Sequence, residues 1–316
     1  MRSPVPPPCA ALETIGASAS ELAAFQDEPR QMKSGTVGKS GFLRLGFEYD
    51  GGRTVLANLE RRLPYIVQRP LYCDEHMPHL AWVFVITSTG CVVQGDRLAM
   101  EVALGSGAQA HVTTQAASKI HAMDANYALQ VQSITLGDGA YLECLPDPVI
   151  PHRRARFVSD TRITVAPTAT VLWSEIIQPG RKHHHPDECF GATVVSMSIA
   201  ASRPDGRRLF AEKLLMEPAR YAVRQTGVMD AFDVLANVML LTPKDCADRV
   251  HARVQATVDL AGGLACGACR LPNDAGLVYK VLGRETAQVK ATVREFWRVV
   301  RNEVIGSDIP PPFLWR

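Results

Sequence analysis

From Arg53 to about Met216 the chain is a succession of short β-prone runs cut apart by turn residues, and this spacing limits the fold more than any other feature. Thr54-Val55-Leu56, Tyr65-Ile66-Val67, Ala81 to Ile86, Ala110 to Thr114, Tyr141 to Leu145, Val171 to Ile177, Thr193 to Ile199 and Leu209 to Met216 are β-branched, aromatic or apolar. Gly, Pro, Asp and Asn stand between them, as in Gly105-Ser106-Gly107 and Gly137-Asp138-Gly139. Regular short strands closed by turns imply a sandwich, a barrel or a β-solenoid. Their period does not choose among the three, and no internal repeat of solenoid type is visible.

The two ends differ from this middle. Residues 1 to about 40 are rich in Pro, Ala, Ser and Gly and read as a mobile tail, with one helical turn around Glu21 to Phe25 and order from about Gly41. Toward the C-terminus, Thr242-Pro243 predicts an N-cap followed by a first-turn proline, with Val250, Val254 and Val258 at helical spacing. A second helix is predicted from about Thr286 to Val304, on the stripe Val289, Val293, Phe296, Trp297, Val300 and Val304. Gly306 and Pro310-Pro311-Pro312 stop it. The expected organisation is thus a tail over 1–40, a β-rich scaffold over 41–241, and a helix–strand–helix portion over 242–316 packed on the same domain.

Composition narrows the function classes. With 316 residues, 47% of them hydrophobic and 21% charged, the chain has ample material for a core. The net charge of +2 and the lack of any long Lys/Arg run speak against a nucleic-acid groove or an anionic membrane surface. The apolar run Ala81 to Ile86 is too short to span a bilayer. Eight scattered cysteines and an N-terminus without the apolar centre of a secretory signal predict reduced thiols and a cytoplasmic location.

Several motifs could carry chemistry. Gly35 to Ser40 ends like a phosphate loop, but Lys33 stands where the first Gly belongs and no apolar strand precedes it. Cys266 and Cys269 have redox or zinc spacing without a βαβ context or further ligands, so a chance pairing is expected. His183-His184-His185-Pro186-Asp187-Glu188 is the densest metal-capable cluster, of residue types that suit nickel, zinc or copper. Pro186 and Gly180 make it a loop, so a polar surface segment is the plainer reading. Three carboxylates sit inside apolar strands: Glu212 on the face of Phe210, Leu214 and Met216, Glu175 on that of Trp173 and Ile177, and Asp96 between Gly95 and Leu98. An unpaired buried carboxylate costs several kcal/mol, so each needs a base (Arg97, Arg207 or Lys213), water or a cation. A wet acidic interior would hold a divalent ion loosely enough to release it. No nucleophile elbow and no His-Glu-x-x-His helix is present.

In order, Gly52-Arg53-Thr54-Val55-Leu56-Ala57, Val67-Gln68-Arg69-Pro70-Leu71-Tyr72, Val92-Val93-Gln94-Gly95-Asp96, Thr113 to Lys119 and Leu142 to Ile150 match a known pattern. Gly180-Arg181, Leu271 to Gly276 before Val281-Leu282-Gly283, and Pro-Pro-x-x-Trp from Pro311 to Trp315 continue it. The series resembles the urease accessory protein family UreD, also called UreH. The resemblance implies a noncatalytic scaffold with a β-helix-like fold and accompanying helices. Such a scaffold binds a UreF-like protein, which recruits a UreG-like GTPase, and the assembly docks on the urease apoprotein to install nickel. No tightly bound cofactor is implied, only transient Ni²⁺.

On this resemblance Asp96 falls in the Gly-Gly-Asp position, Glu175 in the Trp-x-Asp/Glu strand, Glu212 in the Glu-Arg/Lys-Leu strand and Ser118 in the Ala-Ser/Thr-Lys turn, all expected along the nickel route. Gln94 departs from the usual second Gly, and the triple His is not a general family feature. A rival expectation is a cupin-like metal-dependent enzyme using His183, His185 and Glu188.

Overall fold

The computed structural model describes residues 8–27 and 40–312. Strands β1 (Ser40–Asp50), β2 (Arg53–Arg62), β3 (Tyr65–Val67), β4 (Ala81–Thr87), β5 (Arg97–Leu104), β6 (Gln109–Thr114), β7 (Ser118–Ile120), β8 (Ala128–Leu136) and β9 (Tyr141–Cys144) form its first half. Then follow β10 (Val149–Pro151), β11 (Arg156–Val165), β12 (Thr170–Ile177), β13 (Val194–Ser202), β14 (Arg208–Met216), β15 (Val234–Leu241), β16 (Thr257–Asp259), β17 (Leu264–Arg270) and β18 (Gly276–Gly283). Helices α1 (Pro8–Ser18), α2 (Lys244–Arg253) and α3 (Thr286–Ile305) flank them.

From β4 to β13 the chain winds as a solenoid. Strands β5, β8, β11 and β13 lie parallel in one sheet, and β4, β6, β9 and β12 lie parallel in the other. The short strands β7 and β10 pair in parallel, and β10 branches from the second sheet where Val149 meets Ile177 of β12. Antiparallel strands close both ends: β1 with β2, and β13 with β14, in the first sheet; β3 with β4, and β12 with β15, β18, β17 and β16, in the second. The mainly β, solenoid-like architecture expected from the resemblance is therefore the observed one.

Successive coils differ in length, which hides the repeat from the sequence. Leu98 lies beside Gln130, Leu129 beside Val158 and Val158 beside Ser196, offsets of 32, 29 and 38 residues. Corners recur all the same. Gly107 and Gly139 both hold positive φ, at 70° and 64°, where successive coils pass from the first sheet to the second. Gly107 N–H donates to the Asp138 carbonyl at 2.9 Å, stacking one corner on the next.

Residues facing inward from both sheets, such as Leu98, Val102, Val112, Ile134, Phe157, Trp173 and Met197, make one core. The outer face of the second sheet carries another, where Leu172, Ile176, Val238 and Tyr279 meet Val289, Val293, Phe296, Trp297 and Val300 of α3. Each large apolar side chain buried there contributes roughly 1.5–3 kcal/mol. Gly306 ends α3 in the left-handed conformation, φ 74°, as its position in the sequence predicts.

The ends bring two corrections. Residues 8–27 are packed, not free: Leu12 and Leu22 cover Ala99, Leu129, Val131 and Val158 on the outer face of the first sheet. The turn expected at Glu21 to Phe25 is the 3-10 helix Ser20–Phe25, and Glu21 accepts from Ser196 Oγ at 2.6 Å and pairs with Lys213 at 2.6 Å. The rest of the expected tail, and the phosphate-loop look-alike up to Lys39, lie outside the described residues. In the second correction, α2 stops at Arg253 with Pro243 as its cap residue. Thr242 Oγ1 instead meets Thr170 Oγ1 at 2.7 Å, and Val258 is exposed on β16. The β-branched residues Val254, Thr257 and Val258 favour extended backbone, and this local preference overrides the helical spacing.

Candidate functional site

The two sheets enclose a cavity of about 100 Å³ along the solenoid interior, with room for several water molecules. Successive coils contribute polar side chains to its wall: Ser118 after β6, Gln130 and Gln132 on β8, Ser159 on β11 and Glu175 on β12. Tyr65, Cys91 and Met100 line it on the earlier coils, Trp173 and Met197 on the later ones. Period-two alternation aims these groups inward, because Ala128, Ile134, Phe157 and Ile163 of the same strands belong to the inner core.

At the far end a row of polar residues crosses the second sheet. Glu175 is the register partner of Asn237 on β15, which is the partner of Lys280 on β18. Glu212 reaches the same row from β14, the edge strand of the first sheet. Its Oε1 accepts from Asn237 Nδ2 at 3.1 Å and pairs with the Lys280 ammonium. Glu175 is 8% exposed. Burial pushes its carboxyl up to about 7, and the Glu212 charge adds to this against the Asn237 hydrogen bond and Lys280. Asn237 Oδ1 is buried with no hydrogen-bond partner.

Two of the three expected carboxylates, Glu175 and Glu212, are thus brought together, with Lys280 rather than Lys213 or Arg207 as the base. Asp96 is elsewhere, at the start of β5. It is 1% exposed, and its Oδ2 accepts the Val93 N–H at 3.0 Å, closing its own turn. The cavity wall does not include it, but its charge, after burial, holds the phenol of Tyr65 above its ordinary value. Gln94 leaves the turn intact: Gly95 carries the positive φ of 80°, while Gln94 Oε1 accepts from Asp124 N at 3.0 Å.

The histidine cluster does not assemble. His183, His184 and His185 are exposed, and His185 Nδ1 accepts the Asp187 N–H of a short 3-10 helix. Glu188 turns inward onto Arg181, with contacts of 2.7 and 3.2 Å that hold its carboxyl down at about 2. A cupin-like site of His183, His185 and Glu188 is therefore not formed. Cys266 and Cys269 point to opposite faces of β17, as residues three apart on a strand must. Among the described residues no three His, Cys, Asp or Glu side chains gather as a metal-binding group.

A second polar centre escapes the sequence reading altogether. Glu143 on β9 faces outward under α3 and is fully buried. Its Oε1 accepts from Arg301 Nε at 2.8 Å, Trp297 Nε1 at 2.7 Å and Tyr141 Oη at 2.8 Å. Its Oε2 accepts from Arg301 Nη2 at 3.0 Å and lies 2.7 Å from His111 Nδ1. Burial alone would raise this carboxyl, but the His111 bond and the Arg301 charge hold it at about 2. Arg301 also bonds Asp74, which caps the backbone N–H groups of His76 and Met77. Gln130, Gln132, Ser159, Asn237 and Lys280 were likewise missed, being polar residues within alternating strands that carry no motif.

Comparison with known proteins decides the family. A sequence profile described as UreD urease accessory protein matches residues 39–316. The chain belongs to the UreD family. It is 52% identical over 302 residues to the urease accessory protein UreD of Yersinia pseudotuberculosis serotype O:1b, covering 96% of this chain and 94% of the relative. The UreD of Photorhabdus laumondii is 51% identical over 308 residues, with 98% and 96% covered. "Urease accessory protein UreD 2" of Brucella suis biovar 1 is 50% identical over 297 residues, with 94% and 98% covered. The resemblance read from the ordered motifs is borne out over nearly the whole chain. Among the described residues no helix is long and apolar enough to cross a membrane.

Proposed function

We propose that this UreD-family chain is a noncatalytic, cytoplasmic scaffold for urease maturation, and that nickel passes through its interior as cargo. The observation that carries the reading is the cavity between the sheets, whose largely apolar wall carries inward polar side chains and reaches Glu175, with Glu212 close by. Glu175, Asn237 and Glu212 supply oxygen atoms at that end, and among the described residues no group of three His, Cys, Asp or Glu completes a tight site. Hard, incomplete ligand sets hold a divalent ion briefly, which suits handover rather than storage. Ser118 and the glutamines line the route, while Asp96 acts from behind Tyr65 by fixing the turn and its field.

The scaffold works with a UreF-like protein, a UreG-like GTPase and the urease apoprotein. The absence of a phosphate loop from the described fold is matched by assigning nucleotide chemistry to the GTPase. Complementation tests this. In a urease-producing strain lacking the chain, restoring it should restore both urease nickel content and co-purification of the accessory partners. Nickel-replete urease in the strain without the chain would end the proposal.

A further inference from the structure

The polar row at the end of the cavity holds two groups that the nickel reading leaves without a role. Asn237 is buried beside Glu175 in register, donates to Glu212, and keeps an unpartnered Oδ1. A buried amide oxygen without a donor is costly unless something visits it. Lys280 is register-paired with Asn237 and sets its ammonium on Glu212, at a half-exposed point where the row meets solvent. Glu175 faces the cavity on the inner side. A cation already sits among these oxygens, and it is covalently tethered.

Resting on the nickel reading, we propose that Glu175, Asn237 and Glu212 form one cation seat, with Asn237 Oδ1 as its third oxygen ligand. Lys280 is the placeholder that an incoming divalent ion displaces. With Lys280 in place, two carboxylates share one positive charge; a divalent ion in its stead neutralises both. The exchange needs no bond making beyond coordination. Lys280 swings toward solvent along its own flexible stem. Its return then competes with the ion and favours release, so the lysine sets how long the ion stays. The seat is built of oxygen donors alone and takes hard or borderline divalent ions, Ni²⁺ among them.

The test uses the full chain, NiCl₂ as the probe and two readouts. Amine acetylation read by mass spectrometry should show Lys280 modified several-fold faster at saturating Ni²⁺, with the other lysines as internal controls. Equilibrium dialysis should show Lys280→Met binding Ni²⁺ about tenfold more tightly than the parent, since one competing charge at contact distance is removed. Asn237→Ala should bind about tenfold more weakly, the size expected for loss of one oxygen contact. Lys280→Gln serves if Lys280→Met does not fold. Unchanged or slower Lys280 acetylation with Ni²⁺, or a Ni²⁺ affinity of the Lys280 variant no tighter than the parent's, overturns the placeholder. If that happens while Glu175→Gln still blocks nickel loading of urease, the interior route stands without the lysine. If Lys280 is displaced but urease loading ignores Glu175→Gln, the seat stands and the transport reading fails.

Discussion

Glu143 and Glu175 lie on neighbouring strands of one sheet and are both buried, yet they are opposite kinds of residue. Glu143 faces α3 and is saturated: Arg301, Trp297, Tyr141 and His111 occupy both its oxygens. Glu175 faces the cavity with Asn237 as a hydrogen-bond partner, and the neighbouring charges are Glu212 and Lys280. One carboxyl is held at about 2 and the other at about 7. Burial raises both carboxyls, so the opposite outcomes are made by their partners. A saturated carboxylate fastens the C-terminal helix to the sheet, while an under-satisfied one is kept available.

Breaking the saturated centre should have the largest effect. Glu143→Ala leaves the buried Arg301 with Asp74 and the Asp308 carbonyl, and removal of one partner from a buried pair costs about 3–5 kcal/mol. Chemical denaturation should show that loss, with α3 and its core released first. Glu143→Gln should lose less, and the deficit should shrink in acid. A depressed carboxyl stabilises above its unfolded value of 4.5 and loses that contribution as pH falls toward about 2.

Glu175→Gln should behave oppositely. A raised carboxyl costs stability once pH exceeds 4.5, and the cost reaches its full size, a few kcal/mol, above about 7. At pH 8 the variant should equal or exceed the parent in stability, and any advantage should vanish below about pH 5; denaturant midpoints at the two pH values check this. On the proposed nickel route, urease activation should nevertheless fall about tenfold or more.

Smaller effects lie away from both centres. Glu21→Ala removes the Ser196 and Lys213 contacts that fasten residues 20–25 to the first sheet. It should cost about 1 kcal/mol, visible as faster proteolysis of the N-terminal segment. Replacing His183, His184 and His185 by Ala should change the melting temperature and urease activation least, since all three side chains stand in solvent.

How much of this was legible depends on which sheet a strand belongs to. Strands β4, β9 and β12 are covered on both faces and read as apolar runs, so they were found. Strands β5, β8 and β11 were not, because Glu101, Asp160 and Arg162 interrupt them on the outer face, which meets solvent or α1, and Gln130 and Gln132 on the inner one. The inward faces of Glu175 and Glu212 followed from alternation alone, and the structure agrees. Their meeting could not follow, since it depends on register across β12, β15 and β18 and on β14 closing from the other sheet. Lys280 is the clearest case. Val278 to Leu282 reads as an ordinary alternating strand, and only the fold puts that ammonium on Glu212.

On the function proposed above, nickel passes the under-satisfied side of the sheet, at Glu175 and Glu212. The most direct test is the nickel content of urease purified from cells in which Glu175→Gln/Glu212→Gln replaces the parent chain. The variant should be soluble, should co-purify with its accessory partners, and should leave urease with a small fraction of its normal nickel. Fully loaded urease from those cells would contradict the account.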